Sequence, residues 1–441
     1  MAALRKRGLK VQPFKCGPDF IDGGHHTRVC GRPSRNLDGW MLSSEANREM
    51  FYRATVGADV CVVEGVMGLF EGVDGKSEAG SSAEIAKLLD LPVVLVLDAS
   101  SMARSAAALV HGFQTFDPKV RLSGVIFNKI AGMAHYALLR DALESSCHTA
   151  PLGYLPRDER ILIPERYLGL FTAGESLLPD SAFSLLRELA ESSIEIDKLL
   201  EGDSSLSSRK RILNFPRVAK PAVRIGVARD QAFCFYYEDN LDALRGAGAE
   251  IVESSPLADF RLAEEMDALY FGGGYPELYA ERLTANREML ASVRQFANEG
   301  WPIYAECGGL MYLAGQIESV DHKAFPMARV LPLRVKMTER LVHFGYGDVY
   351  FAKDCLLGPA GAKARGHSCH CSVISEAEPL ERACHLRYSL TGVEETEGYC
   401  INNVLASYIH LHFLSNPGLA TAFVEKAQRA KEKRVSRMLG S

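Results

Sequence analysis

The chain has 441 residues, of which 24% are charged, and its formal net charge is −5. This mildly acidic balance argues against a nucleic-acid-binding tract, and no apolar run approaches the roughly 20 residues of a membrane span. The first ten residues lack the apolar core of a signal peptide. Eleven cysteines without paired spacing argue against a disulfide framework, so we expect a cytoplasmic protein.

Short apolar runs alternate with helical patterns in the first half of the chain. Residues 58–64, 92–98 and 122–128 are rich in β-branched side chains, and helix-compatible sequence such as 101–113 separates them. Continuous apolar strands that alternate with helices predict a parallel sheet covered on both faces.

Acidic residues gather where two strands of this half end. Asp19 and Asp22 lie on a Gly- and Pro-rich loop after a short strand at 10–14, and Glu64 ends the next strand. Ligands of open α/β sheets bind at the carboxyl ends of strands, and carboxylates there suit Mg²⁺ held with nucleotide phosphates. The alternative for each acid taken singly is a helix cap or a turn former.

A polar, Ser-rich and basic stretch after residue 200 interrupts the alternation and predicts a linker. A strand from residue 223, a helix at 237–246 and a strand at 268–271 then predict a second α/β unit. The expected boundaries are a first domain over 1–200, a linker over 201–221 and a second domain over 222–441.

One cysteine stands in a pattern that indicates reactivity. An apolar strand runs into Cys307, and Gly308 and Gly309 follow it, which predicts a nucleophile elbow whose helix N-terminus favours a thiolate. The alternative is a small buried apolar side chain. The candidate base is His410, 103 residues later, with His412 on the same face of a strand, so alternation cannot separate the two.

Seven segments carry a family resemblance, and several of them are long and specific: 11–22, 31–38, 64–69, 233–240, 272–277, 305–312 and 344–346. Through them the chain resembles, over essentially its whole length, the cobyrinate a,c-diamide synthases, which are glutamine- and ATP-dependent amidating enzymes of the cobalamin pathway. The resemblance implies an N-terminal parallel-sheet domain of the dethiobiotin-synthetase, P-loop NTPase type. It implies a C-terminal α/β domain of the class I glutamine amidotransferase type.

The resemblance also implies a glutaminase site. Cys307 would attack the carboxamide of glutamine, and His410 would accept and return the proton. Backbone N–H groups of Gly273 and Gly274 in the loop that begins at residue 272, and of Gly308, would hold the oxyanion. Triad glutaminases carry an acid two residues after the histidine; the cobyrinate branch lacks it, as this chain does.

A synthetase site is implied in the first domain. There ATP, the co-substrate, would phosphorylate a substrate carboxylate, and ammonia would displace phosphate to give an amide. Lys15, Asp19 and Asp22 would handle substrate or phosphate, and Asp22 and Glu64 would hold Mg²⁺. Asn128 would contact the nucleotide base; capping of a turn is the alternative.

The N-terminus departs from the family, whose members open with a strand and a Gly-rich Lys-Thr or Lys-Ser phosphate loop. We hypothesise that the gene starts upstream and that Met1 is an internal methionine, which a stop codon directly before Met1 would contradict. If the phosphate loop is truly absent, the alternative is a stand-alone Cys-His glutaminase or hydrolase.

A second departure is the segment 366–372, which holds two cysteines and two histidines. Strand alternation would separate Cys369 and Cys371 from His370, which favours a changed substrate-facing or packing surface over a metal site. The basic stretch 334–340 suits substrate carboxylates, with a solvated charged strand as the alternative.

The leading hypothesis is amidation of the a and c carboxylates of cobyrinate. Sirohydrochlorin or its nickel form is the alternative substrate, and a non-enzymatic binding protein is the alternative class. The expected partners are glutamine, ATP and a polycarboxylate tetrapyrrole, with no nucleic acid and no membrane; a homodimer is left open.

Overall fold

A computed structural model describes residues 1–162, 165–166, 169–175, 179–201, 220–376 and 379–439. The chain divides into two compact units, one formed by Met1–Gly39 with Asn47–Leu213 and the other by Trp40–Ala46 with Asn214–Ser441. Most of the linker predicted at 201–221 lies outside the described residues. Within the described residues, no helix combines the length and apolarity needed to cross a membrane.

Strands and helices alternate through the first half of the chain, as the apolar runs predicted. The strands are β1 Val11–Cys16, β2 Arg35–Leu37, β3 Val60–Glu64, β4 Val93–Asp98, β5 Leu122–Ile130, β6 Ala150–Pro156, β7 Glu165–Arg166 and β8 Gly169–Leu170. The helices are α1 Ala2–Lys6, α2 Ile21–Cys30, α3 Ser44–Ala54, α4 Ser82–Leu89, α5 Arg104–Phe116, α6 Met133–Ser146, α7 Asp180–Ser193 and α8 Ile196–Glu201.

The first unit is built on parallel strands, which confirms the predicted α/β class. Six of its described strands form two three-stranded sheets, β2-β1-β3 and β4-β5-β6, in which every pair is parallel. Strands β7 and β8 form a two-stranded antiparallel sheet. Strands β1 and β5 lie at the sheet centres, and their apolar side chains, such as Phe14 and Phe127, are fully buried. Strands β3 and β4 lie at edges, where Val96 is 58% exposed. The carboxyl ends of β1 and β3 are adjacent, which brings their terminal acids together.

The second unit contains the remaining elements. Its strands are β9 Val223–Ala228, β10 Ala249–Ser254, β11 Ala268–Phe271, β12 Ile303–Glu306, β13 Gln316–Glu318, β14 Ala324–Pro326, β15 Leu333–Met337, β16 His343–Phe351, β17 Lys363–His370, β18 Ser372–Glu376, β19 Glu381–Tyr388, β20 Glu394–Ile401, β21 Val404–Ser407 and β22 His410–Leu411. Its helices are α9 Glu238–Gly246, α10 Ala280–Ala285, α11 Arg287–Asn298, α12 Gly308–Leu313 and α13 Gly418–Leu439. The helix and strand predicted at 237–246 and 268–271 are confirmed.

A ten-stranded mixed sheet organises this unit, in the order β10-β9-β11-β12-β21-β20-β19-β16-β17-β22. The pairs from β10 to β21 are parallel, and those from β21 to β22 are antiparallel. A four-stranded sheet, β14-β13-β15-β18, accompanies it. Because β11, β12 and β21 run the same way side by side, the loops that follow them emerge at one edge of the sheet.

Two hydrophobic clusters enclose the ten-stranded sheet, because its central strands carry apolar side chains on both faces. Tyr270 and Tyr304 belong to one cluster, while Phe271 and Ala305, their neighbours in the chain, belong to the other. Helix α11 contributes Met289 to the second cluster. The central strands are therefore rigidly held, which fixes the loops at their carboxyl ends.

Candidate active site

The chain turns sharply at Cys307, between β12 and α12. Its backbone has φ 47° and ψ −104°, which lies outside the regions that non-glycine residues ordinarily adopt. The Cys307 N–H donates to the Ser407 carbonyl at 2.7 Å, and the Cys307 carbonyl accepts from the Met311 N–H at 3.1 Å. These bonds tie the cysteine to β21 on one side and to α12 on the other. The predicted elbow geometry is confirmed.

Two glycines allow the backbone to crowd around this turn. A Cβ on Gly308 would lie 3.1 Å from the Gly274 nitrogen, and a Cβ on Gly273 would lie 2.3 Å from His410 Cε1. A Cβ at the second distance would force the His410 ring to shift, so the close approach of this ring depends on glycine at position 273. The structure therefore brings Cys307, its following glycine, the 272–274 loop and His410 into one site.

The two candidate histidines occupy different environments. His410 belongs to β22, faces Gly273 and is 2% exposed. His412 begins a short 3₁₀ turn, where its Nδ1 accepts from the Leu414 N–H at 3.3 Å. Its ring packs on Tyr237 with centroids 4.4 Å apart. The strand ends at Leu411, so the alternation expected to keep the two rings on one face does not continue.

Burial sets the charge state of the cysteine and histidine. Desolvation raises the pKa of the Cys307 thiol well above its ordinary value, although the Gly308 N–H opposes this. Desolvation lowers the pKa of His410 well below its ordinary value, and the neighbouring His367 and His370 lower it further. The thiol shift is opposite to the predicted one, because burial outweighs the N-terminus of the six-residue helix α12. The resting pair is a neutral thiol and a neutral imidazole.

The oxyanion assignment of Gly273 needs correction. The Gly273 N–H donates to the Phe235 carbonyl at 3.2 Å, and the Gly272 N–H donates to the Tyr236 hydroxyl at 2.7 Å. Both groups are therefore used inside the fold, in a bridge to the segment after β9. Gly274 and Gly308 stay as the predicted donors.

Sequence reasoning missed Glu306, the residue before the cysteine. It is 1% exposed, and its Oε1 accepts from the Leu411 N–H at 3.1 Å and from the Tyr304 hydroxyl at 2.6 Å. Its Oε2 accepts from the Tyr270 hydroxyl at 2.9 Å and lies 3.9 Å from His410 Nδ1. The available signal was a charged residue inside an otherwise apolar strand, since a buried carboxylate needs several donors.

The Cys- and His-rich segment 366–372 packs beside the site. The His367 ring stacks on His410 with centroids 5.0 Å apart, and its Nδ1 is 3.0 Å from the Tyr237 hydroxyl. The His370 ring stacks on Tyr408 at 3.9 Å. Strand β17 ends at His370, so the alternation predicted through the next residue is broken. Among the residues that the structure describes, no three His, Cys, Asp or Glu converge to hold a metal ion.

The basic stretch 334–340 includes most of β15. Arg334 and Lys336 are exposed, while Leu333 and Val335, which alternate with them, are fully buried. This alternation is typical of an amphipathic strand with a solvated charged face.

In the first unit, the predicted site residues surround one ammonium group. Lys15 is 4% exposed, and its Nζ lies 2.6 Å from Asp22, 3.7 Å from Asp19 and 3.7 Å from Glu64. The second Glu64 oxygen contacts His26 Nε2. The carboxyl ends of β1 and β3 thus gather the acids as the sequence predicted.

Ion pairing shapes the titration of this cluster. Burial alone would lower the pKa of Lys15, but Glu64, Asp22 and Asp19 outweigh it and the pKa is raised. Burial opposes ionisation of Asp22, yet the hydrogen bond from Lys15 holds its pKa below the usual value. Asp19 Oδ1 also accepts from the Ile21 N–H at 2.8 Å and so starts α2, which means that the helix-cap alternative also describes it.

The oxygen donors of Asp22 and Glu64 are of the type that Mg²⁺ prefers, but no protein-only cage exists among the described residues. Asn128 lies on β5, where its Oδ1 accepts from the Lys129 N–H at 2.9 Å. That bond is the local turn contact given above as the alternative to base recognition.

Comparisons with known proteins agree with these two units. Residues 1–169 match the family described as "CobQ/CobB/MinD/ParA nucleotide binding domain", and residues 224–418 match the "CobB/CobQ-like glutamine amidotransferase domain". A solved structure described as "Crystal structure of glutamine amidotransferase" covers 46% of this chain and 98% of its own, at 23% identity and a TM-score of 0.35, too low to carry an argument.

Several relatives align with this chain over nearly their whole length and at higher identity than that solved structure. Proteins named cobyrinate a,c-diamide synthase from Leptospira interrogans and Dehalococcoides mccartyi are 41% and 42% identical, over 97% and 96% of this chain and 93% of each relative. One from Priestia megaterium is 40% identical over 98% of this chain and 94% of its own length. The N-terminal nucleotide-binding and C-terminal glutamine amidotransferase folds are therefore both present, and the chain belongs to the cobyrinate a,c-diamide synthase family.

Proposed function

We propose that this protein is a glutamine-hydrolysing ligase that amidates the a and c carboxylates of cobyrinate at the expense of ATP. The observation that carries the proposal is the convergence of Cys307, His410 and the glycine loop at the carboxyl ends of β11, β12 and β21. The names of the full-length relatives support the choice of substrate.

The glutaminase half-reaction starts from the neutral pair. As the Cys307 sulfur attacks the carboxamide carbon, its proton passes to His410, and N–H groups of Gly274 and Gly308 stabilise the oxyanion. The C–N bond then breaks, His410 returns the proton to the leaving nitrogen, and ammonia departs. Water, deprotonated by His410, hydrolyses the thioester to glutamate and regenerates the thiol.

The synthetase half-reaction activates a carboxylate, which by itself is a poor acyl donor. The carboxylate attacks the γ-phosphorus of ATP, ADP leaves and an acyl phosphate forms; ammonia then displaces inorganic phosphate and leaves an amide. Lys15 holds phosphate oxygens by charge, and Asp19 orders the first turn of α2, which carries Asp22. Mg²⁺ on Asp22 and Glu64 would neutralise phosphate charge when bound.

A nitrogen-donor experiment tests the cysteine assignment. Cys307→Ala is expected to lower glutamine-dependent amidation of cobyrinate by at least about 10³-fold while leaving amidation with ammonium chloride intact. Cys234→Ala, an exposed cysteine of the same unit, is the matched control and should keep both activities. Glutamine-dependent turnover by Cys307→Ala would refute the role of the sulfur.

The same assay distinguishes the substrates and the stand-alone hydrolase. Amide formation, followed by mass spectrometry, is measured with cobyrinate, sirohydrochlorin or nickel sirohydrochlorin, each with and without ATP. We expect two ATP-dependent amidations of cobyrinate. Two amidations of a sirohydrochlorin instead would reassign the substrate, and glutamine hydrolysis unaffected by ATP and every macrocycle would favour a stand-alone glutaminase.

A further inference from the structure

We propose that Glu306 positions His410 and stabilises the imidazolium that forms during glutamine hydrolysis. The inference rests on the proposed glutaminase function and adds to it a carboxylate supplied by the residue next to the nucleophile. Glu306 does not touch the substrate in this account, so it is a positioning residue.

The geometry places a carboxylate beside the base. Glu306 Oε2 lies 3.9 Å from His410 Nδ1, longer than a hydrogen bond but close enough for strong attraction once the ring is charged. Catalytic hydrogen bonds are often long in the resting enzyme and shorten in the complex.

The same carboxylate fixes the backbone that carries the base. Oε1 accepts from the Leu411 N–H, directly after His410, at 3.1 Å. Glu306 precedes Cys307 in the chain and accepts a hydrogen bond from β22, the strand that carries His410. It therefore links the turn at Cys307 to that strand. A change at this position alters both the orientation and the electrostatics of His410.

The alternative location for such an acid, two residues after the histidine, holds His412. That side chain is used as a cap for the Leu414 N–H and packs on Tyr237. It is fully buried and has no carboxylate to offer an imidazolium. Glu306 supplies that charge 3.9 Å from His410 Nδ1.

Titratable groups on three strands face Glu306. Tyr304 contacts it from β12, Tyr270 from β11 and His410 from β22, while His367 of β17 lies behind the His410 ring. Burial raises the pKa of Glu306 to about 7, although the two tyrosine hydroxyls and the Leu411 N–H oppose the shift. The carboxylate is therefore present above that pH and lost below it, within the range of an ordinary enzyme assay.

The test compares Glu306→Gln with Glu397→Gln. Glu397 is a matched control because it too is a buried carboxylate of the same sheet whose pKa burial raises. It accepts from the Tyr408 N–H at 2.9 Å and the Ser407 hydroxyl at 2.7 Å. Both substitutions keep the side-chain shape and remove a buried charge.

Two readouts follow the effect. One is kcat and KM for glutamine hydrolysis, measured between pH 5.5 and 9. The other is the rate at which iodoacetamide alkylates Cys307, followed by peptide mass spectrometry, which requires no substrate and no synthetase activity. In the wild type we expect both kcat and the alkylation rate to rise with pH through about 7, because ionised Glu306 stabilises the imidazolium that forms when the Cys307 proton moves to His410. The direct effect of the Glu306 charge raises the pKa of the Cys307 thiol and opposes this rise. In Glu306→Gln kcat should fall about 10- to 100-fold with little change in KM, and the rise near pH 7 should disappear.

Glu397→Gln is expected to lower the midpoint of thermal unfolding but to leave unchanged the pH at which kcat and the alkylation rate rise. A Glu306→Gln variant with wild-type kcat and an unchanged pH profile for both readouts would overturn the inference, as would loss of the pH 7 rise in Glu397→Gln. If Cys307→Ala still hydrolyses glutamine, the proposed glutaminase function fails instead, so the two failures are distinguishable.

Tyr270→Phe provides a second variant in case Glu306→Gln does not fold. It removes one hydrogen bond to Oε2 that holds the Glu306 pKa down. The rise in Cys307 alkylation should therefore move to higher pH. A profile that stays at the wild-type position in Tyr270→Phe would contradict the inference.

Discussion

A single methyl group at Gly273 should disable the base without touching it chemically. In Gly273→Ala the new Cβ would lie 2.3 Å from His410 Cε1 and 3.2 Å from both ring nitrogens. Ordinary contact begins at 3.4 Å, so the imidazole must retreat by about 1 Å. Gly273 is not among the glycines with a left-handed backbone, so the effect is steric rather than conformational.

The expected consequence follows from that displacement. A reacting group misplaced by about 1 Å can lose about 10²-fold in rate, and overpacking of a buried contact costs about 1–3 kcal/mol. We therefore expect kcat for glutamine hydrolysis to fall about 10²-fold, while KM and ammonia-dependent amidation change little. Steady-state kinetics with glutamine and with ammonium chloride, beside thermal unfolding, measure these effects.

Gly358→Ala is the matched control, because its Cβ would meet the Ala362 Cβ at an ordinary 3.6 Å in the same unit. It should keep the wild-type kcat. A folded Gly273→Ala protein with wild-type kcat would refute the placement of His410 against the glycine loop.

Two further predictions concern the histidines and the lysine cluster. His412→Ala should lose about 2–4 kcal/mol of stability in urea unfolding, because it removes a buried ring that caps the Leu414 N–H. This variant should keep glutamine hydrolysis, whereas His410→Ala should abolish it. If His412→Ala abolished hydrolysis and His410→Ala kept it, the two assignments would be exchanged. Lys15→Met should cost about 1–3 kcal/mol at pH 7, since Asp22 loses the partner that lowers its pKa. A carboxylate whose pKa is lowered by folding stabilises the folded state at pH values above its unfolded-state pKa of about 3.9. This stabilisation is lost as the pH falls through the folded-state pKa. The difference in the free energy of unfolding between Lys15→Met and the wild type, measured in urea, should therefore be smaller at pH 3 than at pH 7. An equal difference at both pH values would exclude this ion pair as its cause.

The sequence pattern predicted the elements that position the site. Apolar runs bounded by glycine and proline marked β3, β4, β5 and β11, because burial on both faces requires continuous apolar side chains in a parallel sheet. The strand, cysteine and paired glycines at 303–309 marked the elbow, since only a small residue fits after such a turn. These are local signals that neighbouring residues carry by themselves.

The fate of the Gly273 N–H was not predictable in this way. Its partner, the carbonyl of Phe235, lies 38 positions earlier, and nothing in either motif states that the two segments pair. The shift of the Cys307 pKa was also mispredicted, because burial of the sulfur depends on the packing around it. The N-terminus of a helix predicts the sign of its own contribution to the pKa shift of a thiol, but not the sign of the total shift.

The amino-acid sequence alone determined the two α/β units, the position of Cys307 in a sharp turn and the acidic residues at strand ends, because periodicity and turn chemistry act over a few neighbouring residues. Only the tertiary structure decided which histidine faces Gly273 of the 272–274 loop and which glycine N–H groups donate to partners inside the fold. It also decided that Glu306 lies beside His410. Those choices depend on strand register and on hydrogen bonds between distant residues, such as that from Leu411 to Glu306 across 105 positions. A period of two specifies the face on which a side chain lies, but it cannot specify the partner opposite.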